Sequence, residues 1–313
     1  MNVLALDLGG SHIGCALVSG GRVLASSRLP TDAQSFTRLL PALRAELLGH
    51  CRTAGIAPEG CAGLGIGVPS IVDSVRGEIL SSFNKFTDLN GPELIAWSKA
   101  ELGVPAKLEN DAKLALLGEH AAGAGRGTED LVMVTLGTGI GVAAMLQNRL
   151  LTSRLGQAGC VGGHLTVEVQ GRPCICGNLG CAEAEASTWA LPALCSARPG
   201  FAGSLLAREE VLDFAAVFRA CDAGDAVANA VLSRCLDVWA ALATSLVHAY
   251  GPQRILFGGG VMQRGDAILP HIRDFVQRHS WQTSRGGAVI EAASLGESAA
   301  FIGAETLFQE DVA

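Results

Sequence analysis

Apolar residues open the chain in a short run, Val3–Leu8, which ends at a glycine-rich turn, 9–11, before a second apolar run begins. The same order of strand, glycine turn and strand returns about 130 residues later, where Leu131–Leu136 leads into the turn at 137–141. Self-similarity at so wide a spacing indicates a repeated supersecondary unit. The pattern therefore predicts two related domains, each opened by one copy of this unit.

Between and after the two copies, apolar segments of strand length alternate with segments of helical periodicity. Glycine, proline and short polar residues at the expected positions mark several helix ends, and Asn110 or Asp111 stands in the capping position of one helix. Strands are predicted at 63–69, 104–108 and 254–257, and helices at 36–50, 92–102, 111–122, 225–250, 267–278 and 298–308. Strands that alternate with helices predict an α/β architecture.

Composition narrows the class of protein. A chain of 313 residues that is 49% hydrophobic and 17% charged can bury the cores of about two domains. The net charge of −7, the lack of a Lys/Arg run and the 5% aromatic content argue against a nucleic-acid partner. We expect no membrane partner and a cytoplasmic location, because no apolar run reaches roughly 18 residues and Met1–Leu4 lacks the basic region of a signal peptide.

Three glycine clusters follow buried strands, at 9–11, 137–139 and 258–260. Such turns let backbone N–H groups approach an anion without a Cβ in the way. None is a Walker loop, because the chain has no Gly-Lys-Ser/Thr, and 137–141 does not match the dinucleotide fingerprint. Each turn alone is better explained as a tight turn. Together, two matching hairpin turns and one strand–helix turn indicate a triphosphate held between related domains.

Asp7 stands near the end of the first apolar strand, beside Gly9. An acid in such a place costs stability unless it meets a cation or hydrogen-bond donors. One interpretation is a water-mediated contact to Mg²⁺, and the other is a capped hairpin. The second copy has Leu136 and Gly137 in the corresponding stretch, so a metal site would be asymmetric.

One histidine and three cysteines fall within eighteen residues, at His164, Cys174, Cys176 and Cys181. They form the Cys₃His ligand set of a tetrahedral structural zinc, which leaves no open position for catalysis. A disulfide and a redox switch at Cys174 and Cys176 are the alternatives, although three thiols cannot all pair and a reducing cytosol disfavours disulfides. The cysteines scattered among apolar neighbours are expected to pack as small hydrophobic residues. They are Cys15, Cys51, Cys61, Cys195, Cys221 and Cys235.

The segment Glu109-Asn110-Asp111 lies between a predicted strand and a predicted helix. A carboxylate there can take a proton from a substrate hydroxyl, with Asn110 orienting the same molecule. A helix cap is the plainer explanation, and an isolated Asn-Asp pair would favour it.

In combination, these motifs resemble the ROK family (repressors, open reading frames and sugar kinases), a branch of the actin-like ATPase superfamily. The similarity keeps the order of the motifs and spans nearly the whole chain. The segments that carry it are Asp7–Ser11, Glu109–Ala112, Leu136–Gly141, Gly163-His164, Cys174–Glu183 and Gly258–Val261. The resemblance implies an α/β fold of two actin-like (ribonuclease H-like) domains with an interdomain active-site cleft and a small zinc knuckle. It implies ATP-dependent phosphorylation of a hexose-type sugar hydroxymethyl group.

The resemblance also assigns roles to residues on the sugar side. Asp111 looks like the general base and Asn110 like a sugar ligand. His164 would bind zinc with one nitrogen and face the sugar with the other side of its ring. Glu183 would hydrogen-bond sugar hydroxyls, held in place by the zinc ligand Cys181. Further sugar contacts are implied for Gly67 and Asn84.

On the nucleotide side, the resemblance implies ATP with Mg²⁺, and Asp7 as the metal contact, directly or through water. Two glycine turns would cradle the phosphates, and a third would pass beneath the adenosine. The positions concerned are Asp7, Gly9, Gly10, Ser11, His12, Gly137, Thr138, Gly139, Gly259 and Gly260.

The chain departs from the family pattern at two places. His12 stands where many members have Lys or Thr, which alters the charge beside the phosphates. Before His164, family kinases read Ala-Gly-Glu-Ile-Gly-His, and that Glu binds the sugar. Here Val161 takes the third position before the histidine, and no acid lies between Leu155 and His164. The identity of the sugar is therefore open, whereas the phosphate chemistry is not obviously affected.

Other interpretations remain at this point. A ROK repressor is disfavoured, because the chain starts close to the phosphate-turn strand and is acidic. A sugar-sensing pseudokinase fits the missing Glu but not the presence of Asp7, Asn110 and Asp111. A polyphosphate-dependent kinase lacks a supporting basic cluster. By analogy we expect a homodimer, a first domain of residues 1–115 plus about 297–313, and a second of 116–296 with a zinc insert at 156–186.

Overall fold

The computed structural model describes residues 1–10, 12–31, 35–81, 86, 88–281 and 283–309. The chain forms two compact units. The first contains Met1–Leu131, Ala143–Cys160 and Ala293–Ala313, and the second contains Val132–Val142 and Val161–Ala292. The predicted division at residues 115 and 116 falls inside a helix, Asp111–Ala122, which belongs whole to the first unit.

The first sheet has the strand order β3-β2-β1-β4-β7. Its members are β1 (Asn2–Leu8), β2 (His12–Ser19), β3 (Arg22–Pro30), β4 (Leu64–Val68) and β7 (Ala106–Asn110). Antiparallel pairing joins the first three strands, and β4 and β7 continue in parallel. Strand β4 is buried throughout, as expected for a strand covered on both faces, whereas β3 alternates between exposed and half-buried positions at the edge. A separate hairpin pairs β5 (Ile71–Asp73) with β6 (Glu78–Ser81).

The helices of the first unit are α1 (Leu40–Ala54), α2 (Gly91–Glu101), α3 (Asp111–Ala122) and α9 (Ser298–Thr306). Helices α3 and α9 pack backbone to backbone. A Cβ on Gly118 would lie 2.0 Å from the carbonyl oxygen of Ala299, and one on Gly303 would lie 1.8 Å from that of Leu114. The close contact joins the last helix of the chain to α3, and both helices belong to the first unit.

The second sheet repeats the plan of the first, with the order β10-β9-β8-β11-β12. Its strands are β8 (Leu131–Leu136), β9 (Ile140–Leu146), β10 (Arg149–Leu150), β11 (Arg254–Gly258) and β12 (Val289–Ala292). The remaining helices are α4 (Ala182–Ala186), α5 (Leu191–Ser196), α6 (Phe214–Asp222), α7 (Ala226–Tyr250) and α8 (Gly265–His279). The strand order of the second sheet matches that of the first strand for strand, so the internal repeat read from the sequence is confirmed at the level of strand order.

Helix α7 is the element that bears on the expectation of no membrane partner. In the described part of the chain it is the one helix long and apolar enough, by length and composition, to cross a bilayer. Charges at Arg234 and Asp237 interrupt its apolar sequence, so the helix contains no uninterrupted apolar run of roughly 18 residues. Half of its most apolar stretch is buried within the fold. Core helices of globular domains meet the same criterion, so the finding is weak evidence for a membrane span.

Most predicted elements are present, with shifted ends. The helix predicted at 36–50 begins as a 3₁₀ turn, Thr37–Leu39, and becomes α1 at Leu40. The strand predicted at 104–108 runs instead from Ala106 to Asn110, because Glu109 is buried and paired rather than exposed in a loop. The hairpin of β5 and β6 and the short strand β12 are not predicted.

Candidate active site

Parallel pairing in the first sheet brings three chain segments side by side. The register aligns Asp7 of β1 with Gly67 of β4, and Gly67 with Glu109 of β7. The next residue of β7, Asn110, pairs with Val68. Because the carboxyl ends of parallel strands meet at one edge of a sheet, acids that are far apart in the sequence become neighbours here.

Asp7 is the acid that β1 contributes to this edge. Burial, followed by the neighbouring charge of Asp111, raises the pKa of the Asp7 carboxyl to about 7. Gly67 makes room for it, since a Cβ on Gly67 would lie 3.2 Å from Asp7 Oδ1. Burial and a neighbouring negative charge both disfavour the charged form of Asp7, and a cation at this edge would favour it.

The first glycine turn continues from β1. Gly9 N–H donates to His12 O at 3.0 Å, and Thr31 Oγ1 donates to Gly9 O at 2.9 Å. Gly10 is exposed, and no atom lies within 4 Å of a Cβ built on it, which leaves the backbone open on that side. His12 is exposed as the first residue of β2, and Ser11 lies outside the described residues.

Asp111 is the first residue of α3 and is held by its neighbours. Its Oδ1 accepts Ala112 N–H at 2.8 Å and Asn110 Nδ2–H at 3.0 Å. Asn110 is the helix cap, since its Oδ1 accepts Lys113 N–H at 3.1 Å, and its Nδ2 also donates to Ser70 O at 3.1 Å. The capping interpretation is thus confirmed for Asn110, and the cap itself orients the carboxylate of Asp111.

Glu109 and Lys113, on either side of Asp111 in the sequence, form a buried ion pair that the sequence pattern did not lead us to predict. Glu109 Oε1 lies 3.9 Å from Lys113 Nζ, and both side chains are at most 4% exposed. Glu109 also accepts Asn110 N–H at 2.8 Å and Ser74 Oγ–H at 2.6 Å. The spacing of four residues between an acid and a lysine at a helix start is the signal that could have found this pair.

Cys160 lies near the same group of charges. Burial raises the pKa of its thiol first, and the charges of Lys113, Glu109 and Asp111 also act on it. Its Sγ donates to Gly156 O at 3.2 Å. Val161 is expected to mark the altered sugar contact, and the preceding residue, Cys160, is a second candidate because the charges of Lys113, Glu109 and Asp111 act on its thiol.

The second glycine turn joins β8 to β9. Gly137 N–H donates to Gly139 O at 3.0 Å, which closes the turn. Thr138 is exposed at its tip, and a Cβ on Gly137 would meet no atom within 4 Å. At Gly139 a Cβ would instead lie 2.5 Å from Glu183 Oε2, so a larger residue there would displace the Glu183 carboxylate.

Glu183 contacts this turn through its carboxylate. Oε2 accepts Ile140 N–H at 2.8 Å, and Oε1 accepts Trp189 Nε1–H at 3.1 Å. The family resemblance implies a sugar contact for Glu183, and within the second unit its hydrogen bonds go to Ile140 and to the indole of Trp189. Nothing in the order of residues signals a contact across 43 positions.

The third glycine turn follows β11. Gly259 has φ 89°, in the region that favours glycine, and a Cβ there would lie 2.2 Å from Leu136 O. Gly260 is exposed and open on its Cβ side, and it begins the 3₁₀ turn Gly260–Arg264. The third turn therefore packs against the end of β8, directly before the second turn.

The Cys/His group, defined as His164, Cys174, Cys176 and Cys181, is assembled by the loop between β10 and α4. One ligand atom of each residue lies within 4.8 Å of the others. Cys174 Sγ and His164 Nδ1 are 3.5 Å apart, and Cys176 Sγ and Cys181 Sγ are 3.7 Å apart. In tetrahedral zinc with Zn–S bonds of about 2.3 Å, neighbouring sulfurs are about 3.8 Å apart. The donor set and its spacing fit such an ion.

The ten cysteines are free. Of the scattered ones, Cys15, Cys51, Cys61, Cys195 and Cys235 are buried, and Cys221 is half-buried. The first five confirm the expectation that these residues pack as small hydrophobic side chains. Asn84, expected to contact sugar, lies outside the described residues.

The ROK family profile matches residues 3–311. A glucokinase of Halalkalibacterium halodurans is 30% identical over 98% of this chain and 94% of its own length. A crystal structure of a ROK family glucokinase from Streptomyces griseus, in complex with glucose and AMPPNP, superimposes with a TM-score of 0.83 at 30% identity and covers 98% of this chain and 99% of that one.

The same family includes proteins with another role. A xylose repressor of Caldicellulosiruptor bescii is 25% identical over 99% of this chain, which spans 79% of the repressor. Family membership alone therefore does not separate enzymes from regulators. The mixed α/β fold, the order of the motifs and the profile match over almost the whole length lead to one conclusion: the chain belongs to the ROK family.

Proposed function

We propose that this protein is an ATP-dependent carbohydrate kinase that phosphorylates the hydroxymethyl group of a hexose-type sugar, with Asp111 as general base. The observation that carries the proposal is the way Asp111 is held. Its Oδ1 takes hydrogen bonds from Ala112 N–H and Asn110 Nδ2–H, so the carboxylate has one orientation at the start of α3. Relatives named as glucokinases, at 30% identity, support sugar phosphorylation as the reaction class.

The proposed reaction requires little covalent chemistry from the protein. Phosphoryl transfer needs in-line placement of the hydroxyl and neutralisation of the charge on the transferring group. Asp111 accepts the hydroxyl proton, while Asn110 holds the carboxylate and contributes to sugar binding. The helix cap and the base are adjacent residues, so one turn of backbone fixes both.

Magnesium and ATP complete the proposal on the phosphate side. Asp7 supplies a half-buried carboxylate that is affected by the charge of Asp111, and a divalent cation would stabilise the two charges. Mg²⁺ bound with ATP neutralises phosphate charge, with Asp7 as its contact, directly or through water. Backbone N–H groups of the glycine turns bind the phosphates. The residues assigned to the nucleotide are Asp7, Gly9, Gly10, Ser11, His12, Gly137, Thr138, Gly139, Gly259 and Gly260.

A structural zinc ion is proposed for the Cys/His group. The four ligand atoms are closely spaced and offer no open coordination position, which suits a structural site. The ion would fix His164, whose ring then faces the sugar, and the short helix α4 that carries Glu183. Asn110, His164 and Glu183 are the main proposed sugar contacts, with Gly67 and Asn84 as further ones.

The assembly and location of the protein are proposed by analogy with the family: a cytoplasmic homodimer that uses neither nucleic acid nor a membrane. A sugar-sensing regulator without catalytic activity is the alternative, and the similarity to xylose repressors is what favours it. The distinction is chemical, because a sensor binds sugar but consumes no ATP.

An ATP-consumption assay over a panel of hexoses tests the proposal. We expect sugar-dependent release of ADP, formation of a sugar phosphate detected by mass spectrometry, and loss of both in Asp111→Asn. A protein that binds a sugar by calorimetry, yet consumes no ATP with any hexose of the panel, would instead be a sensor.

A further inference from the structure

Glu183 bridges two parts of the second unit that are far apart in the sequence. Glu183 is 8% exposed, and both of its carboxylate oxygens accept hydrogen bonds, from Ile140 N–H at 2.8 Å and from Trp189 Nε1–H at 3.1 Å. Bonds from N–H groups to a buried carboxylate are charge-assisted and therefore among the stronger ones in a protein. Glu183 is thus held firmly against the end of the second glycine turn.

Two backbone hydrogen bonds join the same partners. Thr188 N–H donates to Gly137 O, and Trp189 N–H donates to Thr138 O, both at 3.1 Å. These bonds use the carbonyl groups of the turn, and the Glu183 bond uses Ile140 N–H. None of them uses the N–H of Thr138 or Gly139. The turn is therefore held through its carbonyl groups and through Ile140, and the N–H groups of Thr138 and Gly139 take no part in these bonds.

The Cys/His group is linked directly to this support. Cys181 is buried, and Glu183 follows it by two residues on α4. The Sγ of Cys181 lies 3.7 Å from that of Cys176 within the group. A shift of Cys181 would be transmitted to Glu183 through less than one helical turn, and from there to Ile140.

We propose that Glu183 is a positioning residue for the phosphate-binding turn 137–139, so that the Cys/His group supports nucleotide binding and not only sugar binding. The inference rests on the proposed kinase function and adds to it a coupling within the second unit. A carboxylate that served the sugar alone would not need both oxygens directed to donors of the turn and of Trp189.

Binding of AMPPNP with Mg²⁺ in the absence of sugar, measured by calorimetry on the full-length protein, tests the inference. Glu183→Gln has one acceptor oxygen for two donors and should raise the Kd for AMPPNP about tenfold. Trp189→Phe removes only the indole donor, so a smaller rise is expected. In steady-state kinetics Trp189→Phe should raise the KM for ATP and leave the KM for the sugar unchanged.

Glu185→Gln is the matched control. Glu185 lies on the same helix and is also buried, but its carboxylate pairs with Arg172 at 3.0 Å and Arg234 at 3.4 Å and does not contact the turn. We expect it to bind AMPPNP like the wild type. Zinc content and the melting temperature, measured for every variant, separate a local effect from loss of the fold.

The inference is wrong if Glu183→Gln and Trp189→Phe bind AMPPNP as the wild type does, which would leave Glu183 as a sugar ligand only. An equal loss in Glu185→Gln would also overturn it, because the cause would then be general damage to the helix. If Glu183→Gln does not fold, Trp189→Phe decides. A wild type that phosphorylates sugars while the variants are unaffected contradicts this inference alone, whereas a wild type that neither binds AMPPNP nor phosphorylates a sugar contradicts the proposed function as well.

Discussion

Asn110 donates from Nδ2 to Oδ1 of Asp111 at 3.0 Å while its own Oδ1 caps the helix that Asp111 begins. One amide therefore performs two tasks, since it satisfies a helix N–H and it holds the carboxylate proposed as base. A cap and a catalytic residue are often treated as competing explanations of an Asn-Asp pair. Here the two ends of the Asn110 side chain cap the helix and hold the carboxylate that is proposed as base.

Asp111→Asn should lower kcat by roughly 10²–10⁴, because the amide keeps the shape of the carboxylate but cannot accept a proton. Steady-state kinetics on the best sugar substrate measures the loss, and far-UV circular dichroism shows that the fold is retained. A variant with near-normal kcat would remove Asp111 from the role of base.

Asn110→Ala should lower both stability and kcat. Loss of a cap costs about 1 kcal/mol, and the carboxylate of Asp111 loses one of the donors that orient it. Asn90→Ala is a matched control, because Asn90 caps α2 in the same way through Glu93 N–H at 3.3 Å. Urea unfolding should show similar losses of stability in the two variants, with a fall in kcat only for Asn110→Ala. Equal kcat values in both would mean that the cap does not orient the base.

The purified protein should contain one zinc ion per chain. Elemental analysis measures the zinc content directly. Cys176→Ala should lose the metal, melt at a lower temperature and bind sugar more weakly, because the free energy of metal binding contributes to folding. Cys221→Ala, at a half-buried thiol outside the Cys/His group, should keep the metal. Metal-free wild-type protein with Cys174 and Cys176 oxidised would support the redox alternative.

Acid should weaken a contact at the entry to α1. Burial alone would raise the pKa of Asp88, but hydrogen bonds from Phe36 N–H, Thr37 N–H and the Ser35 and Thr37 hydroxyls outweigh it and hold the pKa well below its usual value of 3.8. A depressed pKa in the folded state means that this carboxylate stabilises the protein above about pH 4 and loses that effect as the pH falls further. Urea unfolding of the wild type and Asp88→Asn should show a less stable variant at pH 7, with the difference shrinking below pH 4. A difference independent of pH would contradict this assignment.

Sugar preference should depend on Cys160. A carboxylate can accept bonds from two sugar hydroxyls, each contributing about 1.5–3 kcal/mol. This chain has no acid between Leu155 and His164, and the charge of Asp111 acts on the thiol of Cys160 in that segment. We expect the wild type to accept a hexose of altered stereochemistry or with a bulkier group at the expense of glucose. In comparisons of kcat/KM for glucose, mannose, fructose, allose and N-acetylated hexosamines, Cys160→Glu should shift preference toward glucose, with Val161→Glu as the neighbouring control. Strong glucose preference in the wild type, unchanged in Cys160→Glu, would refute this.

Local patterns were enough for much of the architecture. Buried runs, helical periodicity and caps identify most strands and helices, and the repeated glycine turn identifies the duplicated plan that both sheets share. The Cys/His group and the position of Asp111 at a helix start were also readable. These features are determined within a few residues of chain, where spacing and side-chain chemistry are sufficient.

Contacts between distant segments could not be read in this way. The neighbouring charges of Asp7 and Asp111 follow from the parallel register of β1, β4 and β7, which aligns Asp7 with Gly67 and Gly67 with Glu109. The hydrogen bond from Ile140 to Glu183 joins residues 43 positions apart. The sequence by itself determined which chemical groups the protein carries and on which elements they stand. Only the tertiary structure decided which of them meet, because strand register and the packing of loops depend on the whole fold and leave no local pattern.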